Sequence, residues 1–212
     1  MEKRFVDIHT HKSDPDPEVL CLRSFGFGRD ESMPPEPFSA GVHPWDAGTA
    51  DLTAAQRFLQ TVPAVAIGEI GLDYLRPADR KIQRQALEMQ LEIAVRRNLP
   101  VILHCVKAYN DLYAILKDHS LRGVIFHGYT GSPQQTRQLE EAGYCFSLGP
   151  VSFRSPRTME ALRAMPPERL FLETDTVPLS VRKVYDQASA ALGVAPEALQ
   201  RTLIENYKRI FV

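Results

Sequence analysis

Hydrophobic residues along the chain gather into eight short runs, most of which end at a histidine or another polar residue. Within each run the hydrophobic positions are continuous rather than alternating, which is typical of strands buried on both faces of a parallel sheet. The runs span residues 4–9, 18–24, 39–43, 62–69, 100–105, 123–127, 144–149 and 169–175. Eight parallel strands are the number that closes a barrel, so the pattern predicts a sheet of that kind.

Helical patterns lie between the later runs. Helices are predicted over residues 77–97, 132–142, 156–164 and 196–210. In the first of them, apolar residues three or four positions apart predict one buried face, formed by Ile82, Ala86, Met89 and Ile93. Ser132-Pro133 is a typical helix start and Gly143 a typical helix end. Strands that alternate with helices define the α/β class, and we expect a TIM-type (β/α) barrel.

The first third of the chain departs from this alternation. Only about eight residues separate the first two runs, and the connection over residues 25–38 contains three prolines and no helical period. A crossover between parallel strands, with its helix, takes about a dozen residues. We therefore expect the barrel to be shortened or distorted there, with one or two outer helices missing. An antiparallel pairing of the second run stays open.

Length and composition narrow the class of protein. A chain of 212 residues fits a single domain over residues 1–212. The hydrophobic share of 44% and the charged share of 24% exclude disordered and fibrous proteins. The chain has 25 basic and 26 acidic residues. Its overall charge is therefore not one that binds nucleic acid by itself. Any phosphate chemistry must come from a local site.

The cysteines and the apolar runs indicate a compartment. Cys21, Cys105 and Cys145 are too few and too scattered for a disulfide framework or a zinc finger, which predicts buried thiols under reducing conditions. The first residues lack the apolar segment of a secretory signal, and no run reaches the roughly 20 apolar residues of a membrane span. We expect a cytoplasmic protein without membrane contact.

Side chains that bind metals or move protons cluster at the ends of the predicted strands. Five of the six histidines lie at, or within two residues of, such an end: His9, His11, His43, His104 and His127. Glu69 and Asp175 end two further strands in the same way. The carboxyl ends of barrel strands converge on one rim, where enzymes of this fold carry their active sites.

The segment Asp7-Ile8-His9-Thr10-His11 is the sharpest local signal. Alternate residues of a strand face the same side, so His9 and His11 can bind one metal ion. Asp7 shares that face and can accept the proton of a ligating imidazole. The alternative for a lone pair of this kind is two hydrogen-bonded histidines at a strand end, but the further candidate ligands at matching strand ends favour a metal.

The number of candidate ligands suits two metal ions better than one. Two ions about 3.5–4 Å apart share a bridging carboxylate, and Glu69 is the natural candidate. Asp175 then joins His9 and His11 on the first ion, while His104 and His127 complete the second. Imidazole and carboxylate ligands together fit zinc, manganese, magnesium or a similar divalent ion.

Substrate phosphates need donors outside the metal site. Arg154 lies in the loop after the seventh run, near the place where many barrels of this type bind phosphate. The sequence is equally consistent with Arg154 as a phosphate donor and as a solvated surface residue. Trp45, the only tryptophan, follows His43-Pro44 and either stacks on a base or packs beneath the rim.

Six segments in a fixed order resemble the TatD family of metal-dependent hydrolases. They are DIHTH (7–11), GVHP (41–44), GEIGLDY (68–74), PVILHC (100–105), HGYTGS (127–132) and LETD (172–175). The closing ENYKRIF (205–211) is similar to the C-terminal helix of that family. The resemblance implies a TIM-type barrel that hydrolyses phosphodiester bonds, with DNase activity as the best-known role.

The resemblance also implies roles for particular residues. It implies that His9, His11, Glu69 and Asp175 hold one metal ion and that Glu69, His104 and His127 hold the other. Asp175 would also take the proton of the attacking water, which makes Asp175 and Glu69 the predicted catalytic residues. Glu173, His43 and Asp73 match motif positions that support ligands or contact substrate.

The sequence departs from the family pattern at the rim. Val106 stands where members commonly have an arginine, and Gly128-Tyr129 replaces a cysteine-phenylalanine pair. The segments between His11 and Gly41 and after Asp175 are short for the family. These changes spare the candidate ligands but alter the surface that holds substrate. The expected partner is therefore a phosphoester, either DNA or a small molecule. Hydrolysis of a small phosphoester, amide or lactone and a non-catalytic binding protein are the alternatives.

Overall fold

All eight predicted strands are present in the computed structural model, which describes residues 2–35, 37–76 and 78–212. The strands are β1 (Phe5–Thr10), β2 (Val19–Gly26), β3 (Phe38–Gly41), β4 (Ala66–Asp73), β5 (Val101–Val106), β6 (Val124–Phe126), β7 (Cys145–Leu148) and β8 (Leu170–Leu172). They follow their chain order within one sheet. The pairs β1–β2, β3–β4, β4–β5 and β7–β8 are parallel. This order confirms the TIM-type α/β class, and the antiparallel alternative for the second run is wrong.

The described residues contain seven α-helices, five between strands and two after β8. They are α1 (Leu52–Thr61), α2 (Arg80–Arg97), α3 (Tyr109–Leu116), α4 (Pro133–Glu141), α5 (Pro156–Ala164), α6 (Val181–Leu192) and α7 (Pro196–Phe211). None of the described residues between β1 and β3 is helical, which confirms that outer helices are missing from the first third. The helices α2, α4, α5 and α7 were predicted, whereas α1, α3 and α6 were not.

The buried face of α2 differs from the predicted one. Ile82 is 37% exposed and Met89 is half-buried, while Gln83 and Gln90 are fully buried. Burial of an amide is costly unless hydrogen bonds compensate it, and both glutamines bond to backbone groups of neighbouring segments. The buried face of α2 therefore includes two polar residues, and apolar periodicity alone does not reveal them.

Residue contacts divide the chain into two compact units, residues 1–23 with 126–212 and residues 24–125. In the first unit, the segment after β8 runs beside β1, because the Asp175 N–H donates to the carbonyl of His9 at 3.0 Å. Tyr185 of α6 accepts from the Val6 N–H at 3.0 Å, and Asn206 of α7 donates to the Leu170 carbonyl at 2.9 Å. These bonds tie the last two helices to β1 and β8.

In the second unit, β4 and β5 form the longest described pairing, from Ile67 opposite Val101 to Asp73 opposite Val106. All eight residues of β4 are buried. Arg97 at the end of α2 donates to the carbonyls of Leu59 and Val62, which joins α2 to the end of α1. The single domain expected from the chain length stays a prediction.

Two further expectations concern membranes and thiols. Within the described residues, no helix combines the length and the apolar character that crossing a bilayer requires. Cys21, Cys105 and Cys145 are free thiols. Cys145 is buried, as predicted, whereas Cys21 and Cys105 are partly exposed. The cytoplasmic location stays a prediction.

Candidate active site

In the first unit, three ligand-type side chains converge at the carboxyl ends of β1 and β8. His9 lies near the end of β1 and is fully buried, and His11 follows one residue after the strand. Asp175 is brought beside them because Thr10 and Asp175 form a parallel bridge that extends the alignment of β8 with β1. The predicted grouping of His9, His11 and Asp175 is therefore present in the structure.

The distances within this group fit a metal ion. Asp175 Oδ1 lies 3.6 Å from His11 Nε2 and 3.8 Å from His9 Nε2. Two atoms that bind one ion at about 2.1 Å are roughly 3–4 Å apart, so the three ligand atoms fit around a common centre. The ring of His127 lies next to that of His9, with 4.2 Å between their centroids. Two imidazoles and a carboxylate form a donor set suited to a divalent ion, with a third imidazole nearby.

Asp175 has a left-handed backbone conformation, with φ of 52°. This region is uncommon for residues other than glycine, although aspartate tolerates it better than most. The backbone of this residue bonds at both its N–H and its carbonyl: the Asp175 N–H donates to the His9 carbonyl at 3.0 Å, and the Asp175 carbonyl accepts from the His11 N–H at 3.4 Å. The hydroxyls of Thr174 and Thr10 lie 3.0 Å apart. The surrounding hydrogen bonds thus fix an unfavourable conformation that aims the carboxylate at the histidines.

Glu173 supports His127 from behind. Glu173 Oε1 accepts from the Gly128 N–H at 2.7 Å and lies 3.4 Å from His127 Nδ1. A carboxylate at one ring nitrogen fixes the orientation of the imidazole and presents the other nitrogen as the ligand atom. Nε2 is then the ring nitrogen of His127 that can bind a metal.

Asp7 is buried in β1 and bonds to Thr174, the residue before Asp175. Its carboxylate accepts from the Thr174 N–H at 3.0 Å and from the Thr174 hydroxyl at 2.6 Å. Thr174 offers two donors to one carboxylate, so Asp7 holds the residue next to Asp175. Its role as acceptor for a ligating imidazole stays a prediction. Burial raises the pKa of Asp7 to about 7 in spite of these hydrogen bonds.

In the second unit, Glu69 of β4 lies between two histidines. Glu69 Oε1 is 3.1 Å from His43 Nε2 and 3.3 Å from His104 Nδ1. His43 follows β3, and His104 belongs to β5. The close approach of the two strands requires a glycine at position 71, where φ is 142° and a Cβ atom would lie 2.0 Å from the His104 carbonyl oxygen.

His43 binds Glu69 in the tautomer that carries the ring proton on Nε2. The Trp45 N–H donates to His43 Nδ1 at 3.1 Å, so the neutral ring carries its proton on Nε2 and donates it to Glu69. Burial lowers the pKa of His43, and the adjacent Glu69 offsets only part of that effect. His43 is therefore neutral near pH 7 and acts here as a hydrogen-bond donor to the carboxylate.

Asp73 supports His104 in the same unit. Asp73 Oδ2 accepts from Trp45 Nε1 at 2.7 Å and lies 3.3 Å from His104 Nε2. Burial alone would raise the pKa of Asp73, but hydrogen bonds from Trp45, Leu75 and His104 lower it. Its ionised carboxylate holds one nitrogen of His104, and the other, Nδ1, faces Glu69.

Two glutamines that sequence reasoning missed hold the strand ends that carry these residues. Gln90 accepts from the Val42 N–H at 2.6 Å and donates to the Val42 carbonyl at 3.2 Å, next to His43. Gln83 makes the same pair of bonds with Asp73, at 2.8 and 3.0 Å. The two glutamines are seven residues apart on α2 and lie among buried apolar residues. Polar residues at that interval inside an apolar stripe are the signal that could have found them.

Arg154 is the phosphate donor predicted after the seventh strand. It ends a short 3-10 helix after β7, is exposed, and forms no ion pair within the described parts of the chain. Its role as a phosphate donor stays a prediction.

Comparison with known proteins yields one family and several relatives. The family model described as TatD related DNase matches residues 36–212. The chain is 31% identical to the uncharacterized metal-dependent hydrolase YcfH of Escherichia coli K12, over 92% of this chain and 79% of the relative. It is 40% identical to deoxyribonuclease Tat-D of Schizosaccharomyces pombe, over 56% of this chain and 39% of the relative. The crystal structure of the TatD homolog YjjV from Escherichia coli K12 superposes with a TM-score of 0.84 at 26% identity and covers 98% of each chain.

Proposed function

Since this chain belongs to the TatD-related DNase family, we propose that it is a divalent-metal-dependent hydrolase of phosphodiester bonds. The observation that carries the proposal is the grouping of histidines and carboxylates at strand ends in each unit. In the first unit, the ligand atoms of His9, His11 and Asp175 are close enough to one another to bind one metal ion. The relatives named metal-dependent hydrolase and deoxyribonuclease support the same chemistry.

We further propose that the chain binds two ions. The first unit offers His9, His11, His127 and Asp175, and the second offers Glu69 and His104. The mixed nitrogen and oxygen donors suit zinc or manganese, with magnesium less suited to the imidazoles. A bridging position for Glu69 follows from the family resemblance and stays a prediction.

Each side chain of the proposed site has its own role in hydrolysis. A divalent cation held by these histidines and carboxylates would supply Lewis acidity toward a water molecule and the phosphoryl oxygens. Asp175, partly exposed and fixed by its backbone, accepts the proton of the attacking water at a carboxylate oxygen. Glu173 and Asp73 hold His127 and His104 in their orientations, and His43 donates its Nε2 proton to Glu69. The substrate is a phosphoester, and we propose DNA over a small molecule.

The decisive substitution is Asp175→Asn, which keeps the shape of the side chain but removes its ability to take a proton. We expect the variant to lose a factor of about 100 or more in turnover of a chromogenic phosphodiester and of an oligodeoxynucleotide. Metal content, measured by elemental analysis, should fall by less than half because the histidines remain. The matched control is Asp186→Asn, an exposed aspartate of α6, which should retain parental turnover.

The same assays test the wider proposal. The parental protein is loaded with zinc, manganese, magnesium or cobalt in turn, and hydrolysis of both substrates is followed. If no metal supports hydrolysis of either substrate, the protein is not a phosphodiesterase. Parental turnover in Asp175→Asn would remove that residue from the mechanism while leaving the enzyme in place.

A further inference from the structure

Trp45 is a large aromatic side chain held at the surface of the second unit. It is 42% exposed, although its position is fixed by a 2.7 Å hydrogen bond from its indole Nε1 to Asp73 Oδ2. The ring meets that of His43 edge-to-face, with 4.8 Å between the centroids. An exposed indole whose orientation is already fixed loses little conformational entropy when a flat ligand stacks on it.

Two arginines surround this indole. The guanidinium carbon of Arg76 lies 3.7 Å from the centre of the Trp45 ring, and that of Arg29 lies 5.7 Å from it. The Arg76 side chain is 50% exposed and lies 3.9 Å from Asp73 Oδ2, so its N–H groups also reach solvent. With both guanidinium groups in these positions Trp45 is still 42% exposed, so part of its side chain reaches solvent.

Exposed aromatic rings combined with arginines are typical of surfaces that bind single-stranded nucleic acid. Bases stack on the aromatic ring, and arginines pair with the neighbouring phosphates. Bases within a duplex have their faces covered by neighbouring pairs, so stacking of this kind needs an unpaired nucleotide. The chain as a whole carries a net charge of −1, so binding through overall charge offers no competing explanation.

On the basis of the function proposed above, we propose that Trp45 and Arg76 form a subsite for one unpaired nucleotide of a single-stranded substrate. The base stacks on the indole, and the guanidinium of Arg76 binds the adjacent phosphate. The subsite adjoins the candidate ligands of the same unit, because Trp45 bonds to Asp73 and to His43, and these contact His104 and Glu69. A nucleotide stacked there contacts the residue that holds Asp73, which in turn holds His104.

Trp45 is also the only tryptophan, which gives the subsite its own optical signal. The metal-loaded protein of 212 residues is excited at a wavelength absorbed by tryptophan and titrated with a phosphorothioate oligodeoxythymidylate that resists hydrolysis. We expect saturable quenching of the fluorescence. An abasic strand of equal length and the corresponding duplex are expected to cause no quenching at the same concentrations.

Substitutions assign the signal to particular residues. In fluorescence anisotropy with a labelled single strand, Trp45→Leu should weaken binding about five- to a hundredfold, and Trp45→Phe should weaken it less because a smaller ring remains. Arg76→Met should weaken binding and lower its dependence on salt, since one phosphate contact is lost. Arg84→Met is the matched control: Arg84 is exposed on α2 and pairs with Glu88, and its loss should leave binding unchanged.

The outcomes separate this subsite from the proposed function. Hydrolysis of a phosphodiester without quenching by the single strand would overturn the subsite and leave the hydrolase intact. Equal quenching by the abasic strand would also overturn it, because the base would then play no part. Quenching that depends on bases in a protein that hydrolyses no phosphodiester would support the subsite and remove the proposed activity.

Discussion

At the scale of single residues, Asp7 shows how burial sets the charge of a side chain next to the site. Its carboxyl is 2% exposed, and burial raises its pKa to about 7 from 3.8. The folded chain therefore binds more protons than the unfolded chain between about pH 4 and pH 7. The resulting stabilisation is complete below about pH 4 and is lost as the pH rises through about 7.

Asp7→Asn should remove this pH dependence, because an amide does not titrate in that range. We expect the slope of the free energy of unfolding between pH 4 and 7 to change by up to about 1.4 kcal/mol per pH unit. Urea unfolding of the metal-free protein at several pH values measures this slope. Asp118→Asn, an exposed aspartate after α3, should keep the parental slope. An unchanged slope in Asp7→Asn would mean that Asp7 is ionised throughout this range.

At the scale of elements, the strands were easier to predict than the helices. Strands such as β4 are buried on both faces, so their continuous apolar runs mark them in the sequence. Helices α4 and α5 each begin with a serine cap followed by proline, a strong local signal. In contrast, α3 has only eight residues and no side-chain cap. Short helices of this kind depend on packing rather than on local sequence.

The candidate site could be predicted only in part, for a related reason. Histidines and carboxylates at strand ends revealed which residue types would meet, because the carboxyl ends of parallel strands share one edge. The supporting contacts were hidden, since they depend on tertiary packing. The tautomer of His43 depends on the Trp45 N–H, and the strand end before His43 depends on Gln90, far away in the sequence. The contact of Asp7 with Thr174 joins residues 167 positions apart.

Gln90 offers a test of how α2 supports the site. Gln90→Leu places an apolar side chain of similar size at this buried position but leaves the Val42 N–H and carbonyl without their partner. A buried polar group that loses its partner costs about 1–3 kcal/mol, and we expect a loss of that size in the free energy of unfolding. The matched control is Gln85→Leu, at an exposed position of the same helix, and urea unfolding measures both. Equal stabilities of the two variants would show that the Gln90 amide contributes nothing.

At the scale of the whole molecule, metal binding links the local groups to the stability of the fold. Side chains of like type are held close together, as in His9 and His11, and a bound cation compensates the cost of arranging them. A ligand present at 100 times its dissociation constant stabilises the folded state by about 2.7 kcal/mol. For a chain of this length, that corresponds to roughly 5–10 °C in the midpoint of thermal unfolding.

Removal of the metal should therefore lower the melting temperature by about that amount. Calorimetry before chelation, after chelation and dialysis, and after resupply of zinc or manganese measures the shift and its recovery. His11→Ala should lose much of the shift because a ligand is gone. His119→Ala should keep it, since His119 lies outside both ligand groups and its Nδ1 contacts the Ile115 carbonyl. If chelation leaves the melting temperature of the parental protein unchanged, the clustered histidines do not bind a metal in the folded state, and the reason for their close approach must lie in the hydrogen bonds alone.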